Sequence, residues 1–251
     1  MTKEIKGELV PFYFMGDVSG SMTKVGKNGK SGIDALNEIV PSVVQALVEH
    51  PTVGDKIRFG MLSFSDSLKE EVTLSDIRDI ANSKAPVLKQ RGGTSYMSAF
   101  LTLRSILARD LKDIHSDGYR TYRPVVFFFS DGRPTDYEDE WKDAWAKLTE
   151  KTEDYYAYPI LLPFGVGEVM REPLDYIAFP KNGKYEVVRA RVAKDDEDAS
   201  EVITRSMRIL VSSIVATANS VAAGEQGALA KGLAEGFGEI EDDDEEDMIL
   251  D

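Results

Sequence analysis

Hydrophobic positions fall along the chain in two alternating patterns. Leu9–Met15 (LVPFYFM), Ile57–Phe64 (IRFGMLSF), Val125–Phe129 (VVFFF) and Pro159–Phe164 (PILLPF) are short apolar runs with the length and composition of buried strands. The prolines in the last run count against a regular strand there. Other segments carry apolar residues at helical spacing: Ile33–Val48, Met97–Leu111, Glu138–Leu148 and Ser200–Ala218. In the last of these, Ile203, Met207, Leu210, Ile214 and Thr217 share one face. Ser31-Gly-Ile-Asp34 stands before the first helix with the spacing of a capping box. Strands buried on both faces and separated by amphipathic helices predict an α/β fold. Its centre is a doubly wound, mostly parallel sheet flanked by helices, over roughly residues 5–220.

The end of the chain reads differently. Residues 219–238 (NSVAAGEQGALAKGLAEGFG) place Leu229, Leu233 and Phe237 four apart, but five glycines oppose a helix, so the segment is expected to order only on binding. Residues 239–251 hold nine acidic side chains and no basic one; without them the net charge of −14 becomes −5. A flexible segment over 221–251, Gly/Ala-rich and then acidic, is therefore expected.

Composition narrows the function classes. The body has no concentrated basic surface, so nucleic acid is not an expected ligand. No run approaches ~18 uninterrupted apolar residues, so no membrane span is expected. The polar N-terminus, MTKEIKGEL, lacks the apolar segment of a secretory signal. There is no cysteine, which excludes disulfides and thiolate metal sites and fits a cytoplasmic location. The two histidines, His50 and His115, are too far apart in sequence to suggest a His-rich metal site.

In open α/β sheets, ligands bind beyond the carboxyl ends of the strands. Three segments there carry oxygen side chains. Asp17-Val-Ser19-Gly-Ser21 follows the first strand, Gly92-Gly93-Thr94-Ser95 precedes the helix that starts near Met97, and Ser130-Asp131-Gly132 follows VVFFF. Each alone has an ordinary role as a cap or turn. Together they offer two carboxylates and three hydroxyls, a donor set suited to a hard cation such as Mg²⁺.

The set Asp17-x-Ser19-x-Ser21, Thr94 and Asp131-Gly132 resembles the metal-ion-dependent adhesion site of von Willebrand factor type A domains, and the likeness covers about residues 8–220. It implies a Rossmann-like sheet with Mg²⁺, or Mn²⁺ or Ca²⁺, at its carboxyl edge. It further implies that Ser19, Ser21 and Thr94 coordinate the ion directly, and Asp17 and Asp131 directly or through water. Within that family, Ser130-Asp131-Gly132-Arg133-Pro134-Thr135-Asp136 is similar to a TDGxPTD stretch of bacterial TerY-like proteins. Those are cytoplasmic proteins of tellurite-resistance, stress and phage-defence clusters, often encoded beside a kinase and a phosphatase.

Hydroxyl ligands are neutral, so a cation held this way stays electrophilic and can accept an Asp or Glu side chain from a partner protein. A non-enzymatic binding module, acting as a scaffold, is the reading this chemistry favours. The alternatives are a Mg²⁺-dependent phosphohydrolase and an adaptor whose metal site is vestigial. Phosphatases with an aspartate after the first strand carry a second carboxylate two residues on, and here that position is Ser19. Gly26–Ser31 (GKNGKS) misses the spacing of a phosphate loop, because Lys24 stands where glycine is required. Trp141 and Trp145 share a helix face and are expected in the core, His115 in an exposed connection, and Arg133 at the rim of the metal site.

Overall fold

The structure, a computed structural model, describes residues 5–25, 29–166, 169–180 and 199–241. In chain order the elements are β1 (Gly7–Asp17), a 3₁₀ turn (Gly20–Thr23), α1 (Gly32–Val48), α2 (Pro51–Lys56), β2 (Ile57–Phe64), β3 (Leu68–Ser75) and α3 (Ile77–Ala81). There follow α4 (Tyr96–Ser116), β4 (Tyr119–Thr121), β5 (Val125–Ser130), α5 (Glu138–Thr149), β6 (Ile160–Gly165), α6 (Arg171–Ile177), α7 (Ala199–Ala222) and α8 (Ala228–Glu241). The described strands form one sheet in the order β3-β2-β1-β5-β6, with β4 paired to the start of β1. β1 runs parallel to β2, β4 and β5, and β5 to β6; only the β2–β3 pair is antiparallel. This is the mostly parallel, helix-flanked sheet expected from the hydrophobic pattern.

Period-2 alternation divides the core between the two faces. Phe12, Phe14, Phe127, Phe129 and Phe164 pack under α1, α7 and α8. Tyr13, Met15, Phe64, Val126 and Phe128 pack under α4 and α5. Trp141 lies in that second cluster, and Trp145 packs edge-on to Phe179 while donating its indole N–H to the Ile177 carbonyl at 3.1 Å. Among the described strands β6 pairs with β5 alone, and its other side carries a single bridge from Leu161 to Phe179; Pro163 sits inside this strand, on a side where a missing N–H costs least.

α1 starts as its sequence suggests. Ser31 Oγ accepts from the Asp34 amide at 3.1 Å, and Asp34 Oδ2 accepts from the Ser31 amide at 3.0 Å. β3 carries no strong apolar run; it forms because a short turn folds it back on β2 as an antiparallel edge. His115 corrects an expectation: α4 continues through it, and the ring is half-buried, stacked on Tyr156 and 2.9 Å from Thr121 Oγ1.

A second correction concerns the C-terminal segment. Residues 219–238 are expected from their sequence to order only on binding; in the structure α7 runs on to Ala222 and Ala228–Glu241 form α8, with Leu229, Leu233 and Phe237 buried against the core. One of the glycines that count against a free helix permits this one to dock: a Cβ on Gly232 would stand 2.3 Å from Thr217 Cα. Met207, Leu210, Ile214 and Thr217 are buried on α7, as their spacing predicts. The side chain of Ile203, residues 26–28 of the lysine-rich loop and the acidic residues 242–251 lie outside what the structure describes.

Candidate metal centre

The strand order makes β1 and β5 the switch point, because the chain builds outward from β1 through β2 to one edge and returns to β5 on its other side. Asp17 is the last residue of β1 and Ser130 the last of β5, in strands paired up to Gly16 and Phe129. By alternation both side chains point to the α4 face, Asp17 continuing Tyr13 and Met15, and Ser130 continuing Val126 and Phe128.

Asp17 is fully buried. Its Oδ1 accepts from the Ser19 amide at 2.8 Å and its Oδ2 from Ser130 Oγ at 2.8 Å. Burial pushes its carboxyl up to about 6; the hydrogen bonds from Ser19 and Ser130 oppose the rise, and the neighbouring Asp131 charge adds to it. A cation at this place would reverse that balance. Ser19 Oγ lies 3.1 Å from Ser21 Oγ, with Ser19 buried and Ser21 exposed.

Hydrogen bonds join the other two loops to this one. The Gly20 amide donates to the Gly92 carbonyl at 3.3 Å and the Arg91 amide to the Val18 carbonyl at 2.8 Å. Thr94, also buried, has its carbonyl tied by the Thr135 amide at 2.8 Å and by Thr135 Oγ1 at 3.1 Å. Asp131 is buried; its Oδ1 accepts from the Arg133 amide at 3.2 Å, and its carbonyl from Met170 at 2.8 Å. Gly132 has φ +70° and would bring a Cβ to 2.1 Å from the Met170 carbonyl oxygen, so only glycine fits this turn. Arg133 is exposed beside it.

Asp17, Ser19, Ser21, Thr94 and Asp131 thus lie on three mutually bonded loops at one edge of the sheet. Among the described residues, no group of three or more His, Cys, Asp or Glu side chains is gathered to hold a metal. The oxygen donors on these loops are instead two carboxylates and three hydroxyls, which suit Mg²⁺ or Ca²⁺ better than a soft metal.

Four further residues shape the site without having been assigned a role from the sequence. Ser130 and Tyr96 form a buried hydroxyl chain to Asp17. Asp66 Oδ1 accepts from the Gly93 amide at 2.7 Å. Asp136 accepts from Ser95 Oγ and the Met97 amide. Only Ser130 and Asp136 had a signal, as members of the heptapeptide around Asp131.

The class defined by this arrangement is an open α/β domain with hydroxyl and carboxylate loops at its switch point. Within it, the family model described as von Willebrand factor type A domain matches residues 12–133, a stretch that contains all five of those residues. No curated protein matches the sequence. Among solved structures, proximal thread matrix protein 1 from the mussel byssus aligns with TM-score 0.55 at 16% identity, covering 83% of this chain and 48% of that one. The same mussel protein with a zinc-occupied MIDAS motif aligns with TM-score 0.55 at 15% identity, over 83% and 48%. The pilus adhesin SpaC from Lactobacillus rhamnosus GG aligns with TM-score 0.59 at 12% identity, over 85% of this chain and 31% of that one. The chain therefore spans about half of the mussel protein and a third of the adhesin, and at these identities the likeness is one of fold. Among the described residues, no helix is long and apolar enough to cross a membrane.

Proposed function

We propose that this protein is a non-enzymatic binding module that holds a divalent cation, Mg²⁺ in the first instance, at Asp17, Ser19, Ser21, Thr94 and Asp131. The observation that carries the reading is the convergence of three hydrogen-bonded loops on two buried carboxylates beside hydroxyls, at the switch point of the sheet. Ser19, Ser21 and Thr94 would supply neutral oxygens, and Asp17 and Asp131 the charge. A bound cation would supply a Lewis-acidic position that an outside carboxylate can complete.

The partner, on this reading, is a protein that presents an Asp or Glu to that position. The zinc-occupied MIDAS motif of the mussel protein supports metal binding by a chain of this fold. The heptapeptide 130–136 supports a cytoplasmic scaffold of the TerY-like kind, in a stress or phage-defence system, with a kinase or phosphatase as the partner.

The test is capture of a partner from lysate by wild type, Thr94→Ala and a chain lacking residues 242–251, each in Mg²⁺ or EDTA. Loss in EDTA and weakening in Thr94→Ala are expected, with little effect of the deletion. Equal recovery in EDTA, with steep salt dependence and loss on the deletion, would place binding in the acidic residues instead. Mg²⁺-dependent phosphatase activity would overturn the non-enzymatic reading.

A further inference from the structure

Ser130 sits at the end of β5 with no exposed surface, and its hydroxyl makes three hydrogen bonds. It is 2.8 Å from Asp17 Oδ2, 3.0 Å from Tyr96 Oη and 3.1 Å from the Gly132 amide. A serine hydroxyl has one proton and two lone pairs. The Gly132 amide can only donate and the ionised Asp17 carboxylate can only accept. The Ser130 proton therefore goes to Asp17, and Tyr96 fills the remaining lone pair as donor. All three groups are buried, and no orientation of Ser130 other than this one satisfies them.

We propose that Ser130, locked in one orientation by Tyr96 and the Gly132 amide, is the positioning residue that fixes the Asp17 carboxylate for cation binding. The proposal rests on the metal-binding reading given above. With Oδ1 held by the Ser19 amide and Oδ2 by Ser130, the carboxylate plane is set, and each oxygen keeps a second lone pair. The Gly132 bond to Ser130 Oγ also joins the Asp17 carboxylate to the turn that carries Asp131. Such outer partners orient ligands and are costly to remove.

On the same face of β1, Tyr13 donates its hydroxyl to the buried Asp110 carboxylate at 2.8 Å and Met15 is apolar, and a buried carboxylate such as Asp17 contributes less to a core than a hydrophobe would. The Ser19 amide and the Ser130 hydroxyl, the two donors to Asp17, hold that carboxylate in place.

The experiment is calorimetric titration of the full chain with Mn²⁺, paired with thermal midpoints measured in EDTA, for wild type, Asp17→Ala, Ser130→Ala, Ser130→Thr and Tyr96→Phe. Ser130→Ala is expected to weaken Mn²⁺ binding about 10- to 100-fold. Ser130→Thr should recover most of that loss. Tyr96→Phe frees the Ser130 proton to turn away and should lose less than Ser130→Ala, with little change in its midpoint. If wild type binds Mn²⁺ and Asp17→Ala does not, wild-type affinity in Ser130→Ala overturns the positioning role while the metal reading stands. Should Ser130→Ala not fold, wild-type affinity in Tyr96→Phe overturns it equally. No binding by wild type overturns the metal reading and this proposal with it.

Discussion

The Asp136 carboxylate accepts a hydrogen bond from the Ser95 hydroxyl at 2.8 Å, across 41 residues of sequence, and so ties the loop after β5 to the start of α4. Its other oxygen takes the Met97 amide at 3.0 Å, one of the amides that α4 leaves without a partner of its own. Thr135, beside it, donates twice to the Thr94 carbonyl. Thr94 is therefore placed from the Asp131 side of the site rather than by its own loop.

Asp136→Ala should accordingly act on both stability and the site. Loss of a helix cap of this kind costs about 1 kcal/mol, which lowers the melting midpoint of a chain this long by roughly 2–4 °C. Mn²⁺ affinity should fall as well, because Thr94 loses part of its support. Calorimetric melting and Mn²⁺ titration of the same preparation check the two effects together.

Asp17→Ala and Asp131→Ala should each abolish tight binding of Mg²⁺ and Mn²⁺, since these two carboxylates carry the negative charge of the proposed site. Thr94→Ala should cost less, because water replaces a neutral hydroxyl more readily than a charged oxygen. Titration calorimetry ranks the three. Unchanged affinity in both aspartate variants would remove the metal assignment.

The cap of α1 should give a signal in acid. Hydrogen bonds from the Ser31 hydroxyl and amide, helped by Lys30, hold the Asp34 carboxyl below its ordinary value. A folded-state pKa below the unfolded one, about 3.9, contributes stability that is present above that value and lost as pH falls through the folded pKa. Asp34→Asn should thus melt below wild type at pH 7, and the gap should close as the pH drops below about 4. Ser31→Ala should cost about 1 kcal/mol at neutral pH. Thermal melts from pH 7 to pH 3 read both.

The α7–α8 contact should be improvable. Thr217 Oγ1 is buried and has no hydrogen-bond partner among the described residues, where α8 crosses at Gly232. Thr217→Val keeps the shape and removes the unpaired hydroxyl, so the midpoint should rise, by roughly 2–4 °C for about 1 kcal/mol. Gly232→Ala should do the opposite: the added methyl meets Thr217 backbone and forces α8 away, at about 1–3 kcal/mol. Melting curves of the two variants should move in opposite directions.

Much of this protein is local and was legible in order along the chain. The unbroken apolar runs VVFFF and LVPFYFM mark strands buried on both faces, because a strand sends neighbouring side chains to opposite faces. Ser31 and Asp34 mark a helix start, because a capping pair works within three residues. The hydroxyl and carboxylate loops stand out for the same reason: each is a short motif at an element end. What the sequence could not supply was register and contact. Asp17 and Ser130 are 113 residues apart, and they meet because β1 and β5 lie side by side with ends aligned, a choice made by packing across the whole sheet. The pairing of β3, whose sequence is weakly apolar, depends on β2 being there to receive it. α8 shows the same limit in reverse. Its glycines lower the intrinsic tendency to form a helix, yet in the folded chain Gly232 lets α8 approach Thr217 closely enough to bury Leu229, Leu233 and Phe237. Propensity is set by neighbours in sequence and burial by neighbours in space, and where the two disagree the buried surface decides.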